Sequence, residues 1–361
     1  MAAASSQTVT YSTVAAIALD KLSDKISDAI STSNAFLYFY KKEGNWEGVT
    51  SGGRQLRKSL LYQLQPLKPL GSFGSVNPNP IDSHTSVYYS WVQTAVPVSF
   101  SDLEDFQTSG EESIESIVKA KYQQAKASLD DFFSRALLQG QASVDGSSTT
   151  TPVTSSSDGS TFIDPIFKLA SYDVTSSLTV GGLDQSTNAF WVNQKVASAA
   201  STLTAFLAEL RKLHILCQRG GGGANRAPDF HVADERTYNI YERALATFHH
   251  NYSYTKADIP FENLLFKGAP LVPDQLMIDA KNAAVSPDTN NRGTWFMGNS
   301  AFMGFTYDSA KSFKMGPNVR PNNQLVTTSL MPVRGAHWTN NRRKLGVSGN
   351  IDLNTLETAT S

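Results

Sequence analysis

The chain has 361 residues, 40% of them apolar, and its 31 Lys+Arg against 32 Asp+Glu leave a formal net charge of -1. That length supports two domain-sized units or one elaborate domain with long insertions, and the charge balance excludes a bulk electrostatic pull toward nucleic acid or an anionic membrane. A single cysteine, Cys217, excludes an internal disulfide framework and a multi-cysteine zinc site, and fits folding in a reducing cytosol.

The N-terminal stretch lacks a basic n-region, and Asp20, Lys21 and Asp24 interrupt its apolar run, so it reads as neither a signal peptide nor a membrane span. Ala15, Leu19, Leu22, Ile26 and Ala29 recur at three- and four-residue steps, which predicts an amphipathic helix whose narrow stripe needs a partner surface. Over 55–64, Leu56, Leu60, Tyr62 and Leu64 share one parity, with Lys58 as the exception, and Gln55, Arg57, Ser59 and Gln63 share the other; this predicts a strand. A second β-rich run, "SVYYSWVQTAVPVSF", covers 86–100, and the Pro- and Gly-rich segment between them predicts an irregular tip. The two runs form a two-stranded arm with almost no core of its own, which is expected to lean on another molecule.

The strongest periodic signal is "SGEESIESIVKAKYQQAKASLDDFFSRALLQG", where apolar residues from Ile114 to Leu137 repeat every 3.6 residues. Ser109 and Glu112 read as a capping box, and Arg135 and Gly140 supply the stop signals. About 28 helical residues make a rod of roughly 42 Å, the length of a strut. Residues 141–161 hold 12 Ser or Thr in 21 positions and read as a surface insertion. A second amphipathic helix is predicted near 193–217, with Val196, Ala200, Leu203, Leu207, Leu210, Leu213 and Cys217 on its buried face. "DFHVA" reads as a strand that leads into a helix capped by Asp234.

The four glycines of "QRGGGGANR" at 218–226 follow a helix and precede a strand, the reverse of a phosphate cradle, and lie at the negative end of the helix dipole. They are expected to form a terminating turn with Gly220 as a left-handed cap, leaving Arg219 and Arg226 as surface charges. The histidines form no metal-ligand spacing, and "GNSAF" departs from a nucleophile elbow at Phe302. No catalytic residue, cofactor or metal site is therefore expected, and Cys217 reads as a small apolar residue on a helix face. Arg334, His337, Arg342, Arg343 and Lys344, with Trp338 among them, form a basic cluster that admits two readings: a nucleic-acid strip, or turn charges solvated or paired with a neighbouring subunit around Asn340 and Asn341.

The order of these elements resembles the major capsid proteins of tailed bacteriophages, the Hong Kong 97-like α+β fold. The stretches that carry the resemblance are "WVQTAVPVSFSDLEDFQTSGEESIESIVKAKYQQAKASLDDFF", "GGLDQSTNAFW", "PDFHVADERTYNIYERAL", "IPFENLLFKGAPLVPD" and "GAHWTNNRRKLGVSGNI", in the family's order and spanning about 40–352. The resemblance implies an N-terminal arm at 1–45, an extended β-hairpin loop at 46–96, and a peripheral domain at 97–200 and 325–352 with a spine helix at about 111–139. It implies further an axial domain at 201–324 and a C-terminal tail at 353–361.

Such a chain is not an enzyme. It assembles with itself into hexamers and pentamers of an icosahedral virion shell around double-stranded DNA, which it touches weakly and without sequence preference. A separate scaffolding protein, a portal protein and a possible decoration protein are implied as partners, with no membrane and with assembly in the bacterial cytoplasm. The candidate inter-subunit contacts are Leu19, Leu22 and Ile26 on the arm, Arg54, Arg57 and Lys58 on the loop, and Arg219, Arg226, Arg342 and Arg343. Certain relatives crosslink through Lys–Asn isopeptide bonds; Lys58 lies on the loop, and no partner asparagine or catalytic acid is identified for it. The same architecture serves encapsulin-like nanocompartments, which enclose cargo enzymes in place of a genome.

Overall fold

The computed structural model describes residues 35–42, 46–50, 52–65, 67–75, 79, 81–107, 111–138, 163–175, 177–219, 227–247, 264–274, 277 and 292–359. In chain order the elements are α1 (Ala35–Lys42), β1 (Trp46–Val49), β2 (Gln55–Leu61), β3 (His84–Ser90), β4 (Val92–Ser101), α2 (Asp102–Gln107), α3 (Glu111–Leu138), α4 (Ile166–Leu169), β5 (Thr179–Val180), β6 (Leu183–Asp184), β7 (Gln194–Ala197) and α5 (Leu203–Gln218). They continue as β8 (Phe230–Ala233), α6 (Glu235–Thr247), β9 (Leu264–Phe266), β10 (Ala269–Pro273), β11 (Arg292–Gly298), β12 (Met303–Asp308), β13 (Val326–Thr339), β14 (Gly346–Asp352) and α7 (Leu353–Thr358). The chain divides into a smaller unit (1–33, 94–131 and 313–332) and a larger one (34–93, 132–312 and 333–361).

The larger unit is built on a mixed six-stranded sheet in the order β7-β14-β11-β8-β10-β9. Helices α5, α6 and α7 bury their apolar faces with it: Leu203, Phe206, Leu210, Leu213 and Cys217 from α5, Tyr238 and Tyr241 from α6, and Leu353 and Leu356 from α7 surround Trp295 and Met297 of β11. Helix α5 starts at Leu203 because Thr202 accepts a hydrogen bond from the Ala205 N–H at 3.2 Å. The helix predicted over 193–217 is therefore shorter than expected. Val196 is buried, as its spacing demands, but in β7, which pairs in parallel with Gly346–Gly349. That three- and four-residue spacing reads locally as a helix, but of Val196, Ala200 and Leu203 only Val196 lies in β7, and pairing with β14 decides it.

Asp234 caps α6 as expected, and does more. Its carboxylate accepts from the Thr237 N–H (2.7 Å), the Thr237 hydroxyl (2.8 Å) and the Thr294 N–H of β11 (2.6 Å), so one buried side chain ties the helix start to the sheet. Asp234→Ala removes both carboxylate oxygens, and with them all three hydrogen bonds, and strands two buried amides; we expect a loss of about 2–3 kcal/mol, read as the shift in the urea midpoint.

Strand β1 pairs in parallel with β12, which pairs antiparallel with Gly335–Thr339 of β13. Trp46 stacks on Phe305 with ring centroids 4.5 Å apart, and Phe133 from the end of α3 packs edge-on to both. Gly335 has no alternative here, because a Cβ would lie 2.2 Å from the Phe305 ring.

In the smaller unit, Val98 of β4 is buried, as are Ala125 and Leu129 of α3. Ser101 and Glu104 form a reciprocal capping box on α2, with the Ser101 N–H donating to Glu104 (3.1 Å) and the Glu104 N–H to Ser101 Oγ (3.2 Å). The Lys121 ammonium crosses from α3 to the same carboxylate at 2.8 Å and to the Ser99 carbonyl at 3.0 Å, and it leads the causes that hold the Glu104 carboxyl below its ordinary range. Residues 313–332 fold back on themselves through bonds such as Gly316 N–H to Leu330 O at 2.8 Å.

The predicted strut is α3, a 28-residue helix, and its expected Ser109 cap lies outside the described residues. The expected helix over 15–30, the Ser/Thr-rich insertion and the Gly220 cap also lie outside them. The six-stranded sheet draws β7 and β14 from the range expected for a peripheral domain and β8 to β11 from that expected for an axial domain.

Candidate assembly surfaces

The two-stranded arm exists in the expected register: β2 and β3 pair antiparallel from Gln55 opposite Ser90 to Leu61 opposite His84. The "SVYYSWVQTAVPVSF" run is two strands, because the chain leaves this ribbon at Trp91 and β4 lies beside β13 instead. Alternation puts Gln55, Arg57, Ser59 and Leu61 on the exposed face of β2, and Leu56, Lys58 and Leu60 on the half-buried one. Lys58, the exception in the pattern, sits on the inner face because its ammonium lies 3.7 Å from the Trp338 ring centroid, where the ring's negative face replaces part of the lost water.

The base of the ribbon therefore leans on its own chain. Val87 and Tyr89 are buried, the Tyr88 N–H donates to Gly181 O at 3.0 Å, and Tyr62 stacks on Phe190 at 4.6 Å. Gly181 has φ +60, and a Cβ there would meet Val87 at 2.9 Å, so this close approach needs glycine. The expectation that the whole ribbon depends on another molecule is corrected at the base, which packs on its own chain; the tip is exposed in the subunit. There Leu64, Leu67, Leu70 and Phe73 are exposed, Leu67 by 97% and Phe73 completely.

Arg54 and Arg57 are exposed, and Arg57 donates to Ser86 Oγ at 2.9 Å while its guanidinium lies 5.9 Å from the Tyr88 ring. Arg219 is exposed at the end of α5, and Arg343 at the turn between β13 and β14. Leu19, Leu22, Ile26 and Arg226 lie outside the described residues.

Arg342 is a correction. It is completely buried, and its guanidinium donates to Leu169 O (2.7 Å), Trp191 O (3.1 Å), Asn193 Oδ1 (3.1 Å) and Lys168 O (3.4 Å), so no donor is turned to a neighbouring subunit. Burial lowers its pKa to about 10, which leaves it charged at neutral pH.

The basic cluster as a nucleic-acid strip fails for the same reason. Lys344 is buried with its ammonium 3.1 Å from the Gln218 carbonyl, a cation at the negative end of α5, and His337 is buried too. Arg334 pairs with Gln93 (3.1 Å) and reaches towards Asp308 at 3.9 Å. Of that cluster only Arg343 is left fully outside.

Around Ser300 the "GNS" sequence is structural. Gly298 makes room for the Phe230 ring, which a Cβ would approach to 2.1 Å, and the Ser300 hydroxyl and N–H both donate to the Asp229 carboxylate. Among the described residues no group of three His, Cys, Asp or Glu is placed to hold a metal ion, and no helix is long and apolar enough to cross a membrane. Cys217 is buried, and that burial pushes its thiol up to about 12.

The structure is similar to the capsid asymmetric unit of cyanophage A-1(L) over 92% of this chain and 97% of that one, with a TM-score of 0.64 and 13% identity. It is similar to the capsid of a native GTA particle over 92% and 95%, with a TM-score of 0.56 and 10% identity. A likeness to the SrpI encapsulin of Synechococcus elongatus covers 96% and 97%, with a TM-score of 0.53 and 13% identity. No protein-family model and no curated protein matches the sequence. The chain has the fold of capsid shell proteins, the Hong Kong 97-like fold that its order of elements resembles.

Proposed function

We propose that this chain is the major capsid protein of a tailed bacteriophage, and that its copies form hexamers and pentamers closing into an icosahedral shell around double-stranded DNA. The observation that carries this reading is the likeness to the cyanophage A-1(L) capsid across nearly the full length of both chains. The exposed hairpin tip supports it. Four large apolar side chains within ten residues are stable in water only at a cost of about 2 kcal/mol each, which burial on an identical copy removes. Head-to-tail contacts of this kind close into rings, and the same contacts repeated at slightly different angles give curvature.

In this reading 46–96 are the extended loop, 97–200 with 325–352 the peripheral domain, 201–324 the axial domain, and 353–361 the tail. β7 and β14 cross over to complete the axial sheet. The N-terminal arm is 1–45, and within it α1 buries Phe36, Leu37 and Tyr40 in its own chain. A separate scaffolding protein, a portal and decoration proteins complete the particle. The near-neutral charge holds DNA weakly, which suits packing and release.

The test is expression of the full chain followed by negative-stain microscopy and sizing. Closed particles are expected, and Leu64→Ser, Leu67→Ser, Leu70→Ser and Phe73→Ser combined should abolish them while circular dichroism stays unchanged. A wild-type protein that remains monomeric at high concentration, alone and with its scaffold, overturns the proposal. The likeness to SrpI favours a second reading, an encapsulin-like shell holding cargo enzymes. Particles that carry protein cargo and no nucleic acid in the native host would decide for it.

A further inference from the structure

Three consecutive residues at the end of β13 hold two separate parts of the larger unit. His337 takes the hydroxyl of Tyr40 from α1, with Nε2 and the oxygen 3.0 Å apart. Trp338 receives the Lys58 ammonium of β2 at 3.7 Å and donates its own N–H to Thr306 Oγ1 at 2.8 Å. Thr339 engages Tyr89 of β3 twice, its carbonyl accepting from the hydroxyl at 2.7 Å and its N–H donating back at 3.2 Å.

The hydrogen-bond directions at His337 are determined. Nδ1 lies 2.6 Å from the Asp164 carbonyl, which only accepts, so Nδ1 carries the proton and Nε2 accepts from Tyr40. Tyr40, Tyr89, His337 and Thr339 are all buried, so a bond broken here leaves polar groups with no water to replace it. The β13 backbone between them is one extended segment, ordered by pairing with β12 from Gly335 to Thr339. A shift that frees Tyr40 from His337 thus moves the peptide groups that receive Tyr89 two residues on.

We propose that His337, Trp338 and Thr339 form a common clasp that couples the docking of α1 to the docking of the extended hairpin, so that releasing either one loosens the other. The coupling belongs to the folded subunit and does not depend on the shell reading. On the shell reading, in which the N-terminal arm and the hairpin contact neighbouring copies, it makes the two commit together.

The test is peptide-level hydrogen exchange on the full-length protein. Tyr40→Phe, which removes one hydroxyl, should speed exchange at least about threefold in the β2 and β3 peptides as well as in 35–42, and Tyr89→Phe should do so in 35–42. Lys58→Met, at a half-buried site where folding is not at risk, should also loosen 35–42. The double variant Tyr40→Phe with Tyr89→Phe should loosen each segment less than the product of the single effects. Tyr241→Phe removes a bond of similar length, 3.0 Å to Leu265 O, elsewhere in the core and should leave both segments unchanged. Exchange that rises only in the segment carrying each substitution, with effects that multiply in the double variant, overturns the proposal. So does loosening of the hairpin and α1 by Tyr241→Phe to the same degree.

Discussion

Replacement of Arg342 by alanine is expected to destabilise the larger unit by about 4 kcal/mol or more, a loss that leaves many single domains unfolded. The guanidinium is the donor for the Leu169 and Trp191 carbonyls and for Asn193 Oδ1, all buried, and for the part-buried Lys168 carbonyl. Those acceptors belong to segments before β5 and before β7, so the arginine ties both to the turn between β13 and β14. Alanine leaves the Leu169, Trp191 and Asn193 acceptors buried and without this donor, and opens a cavity. Arg342→Lys keeps the charge but not the planar fork and should recover at most half of the loss. The sign is not obvious in advance, because a buried charge is itself costly and an apolar replacement is sometimes neutral. Here the acceptors remain behind, which makes neutrality impossible on this account. Urea unfolding of the unassembled subunit measures it, and a variant as stable as the parent would remove the argument.

The second large effect is acid sensitivity. His231 and His337 are buried, and burial pushes their pKa values down to about 3 and about 4 from the ordinary 6.5. Neither nitrogen of the His231 ring has a hydrogen-bond partner of normal geometry. Around it stand the Phe266, Trp295 and His214 rings, the last 6.2 Å away between centroids, and His214 is itself held low by burial and then by Lys267. The Phe266 main chain offsets only part of the shift at His231, as the Asp164 carbonyl does at His337.

An unfolded chain takes up these protons below pH 6.5 and the folded one does not until pH 3 to 4. Stability is therefore complete above 6.5 and drains away as pH falls through that window. From pH 7 to pH 5 each of the two groups costs about 2 kcal/mol, or about 4 kcal/mol together. Paired carboxylates held low, such as Glu104 and Glu357, add to the loss only below their ordinary range near 4.5. A urea midpoint that falls steeply between pH 7 and 5, and less steeply in His231→Phe, is the expected result. Equal midpoints at the two pH values would contradict it.

What the amino-acid sequence determined by itself is whatever local periodicity can carry. The 3.6-residue repeat from Ile114 to Leu137 needs no partner to be read as a helix, and α3 spans 111–138. The alternation from Gln55 to Leu61 likewise specifies which side chains share a face, and the Asp234 cap is a signal three residues long. Ser101 and Glu104 are a further local signal, at capping-box spacing across the start of α2, the spacing that Ser109 and Glu112 have in the sequence around the start of α3.

Charge is not a mark of the surface in this chain. Arg342, His337 and Lys344 look like solvated turn residues, and each is buried because its partner is a main-chain carbonyl that no sequence pattern reveals. Tertiary structure alone decided that Val196 joins a parallel strand pair, that Lys58 turns inward onto Trp338, and that Tyr40 and Tyr89 meet one segment of β13. The physical reason is the same in each case. Helix and strand periods are read from neighbours two to four residues away, whereas these contacts join residues up to about 300 positions apart, and their energy exists only once the chain has closed around them.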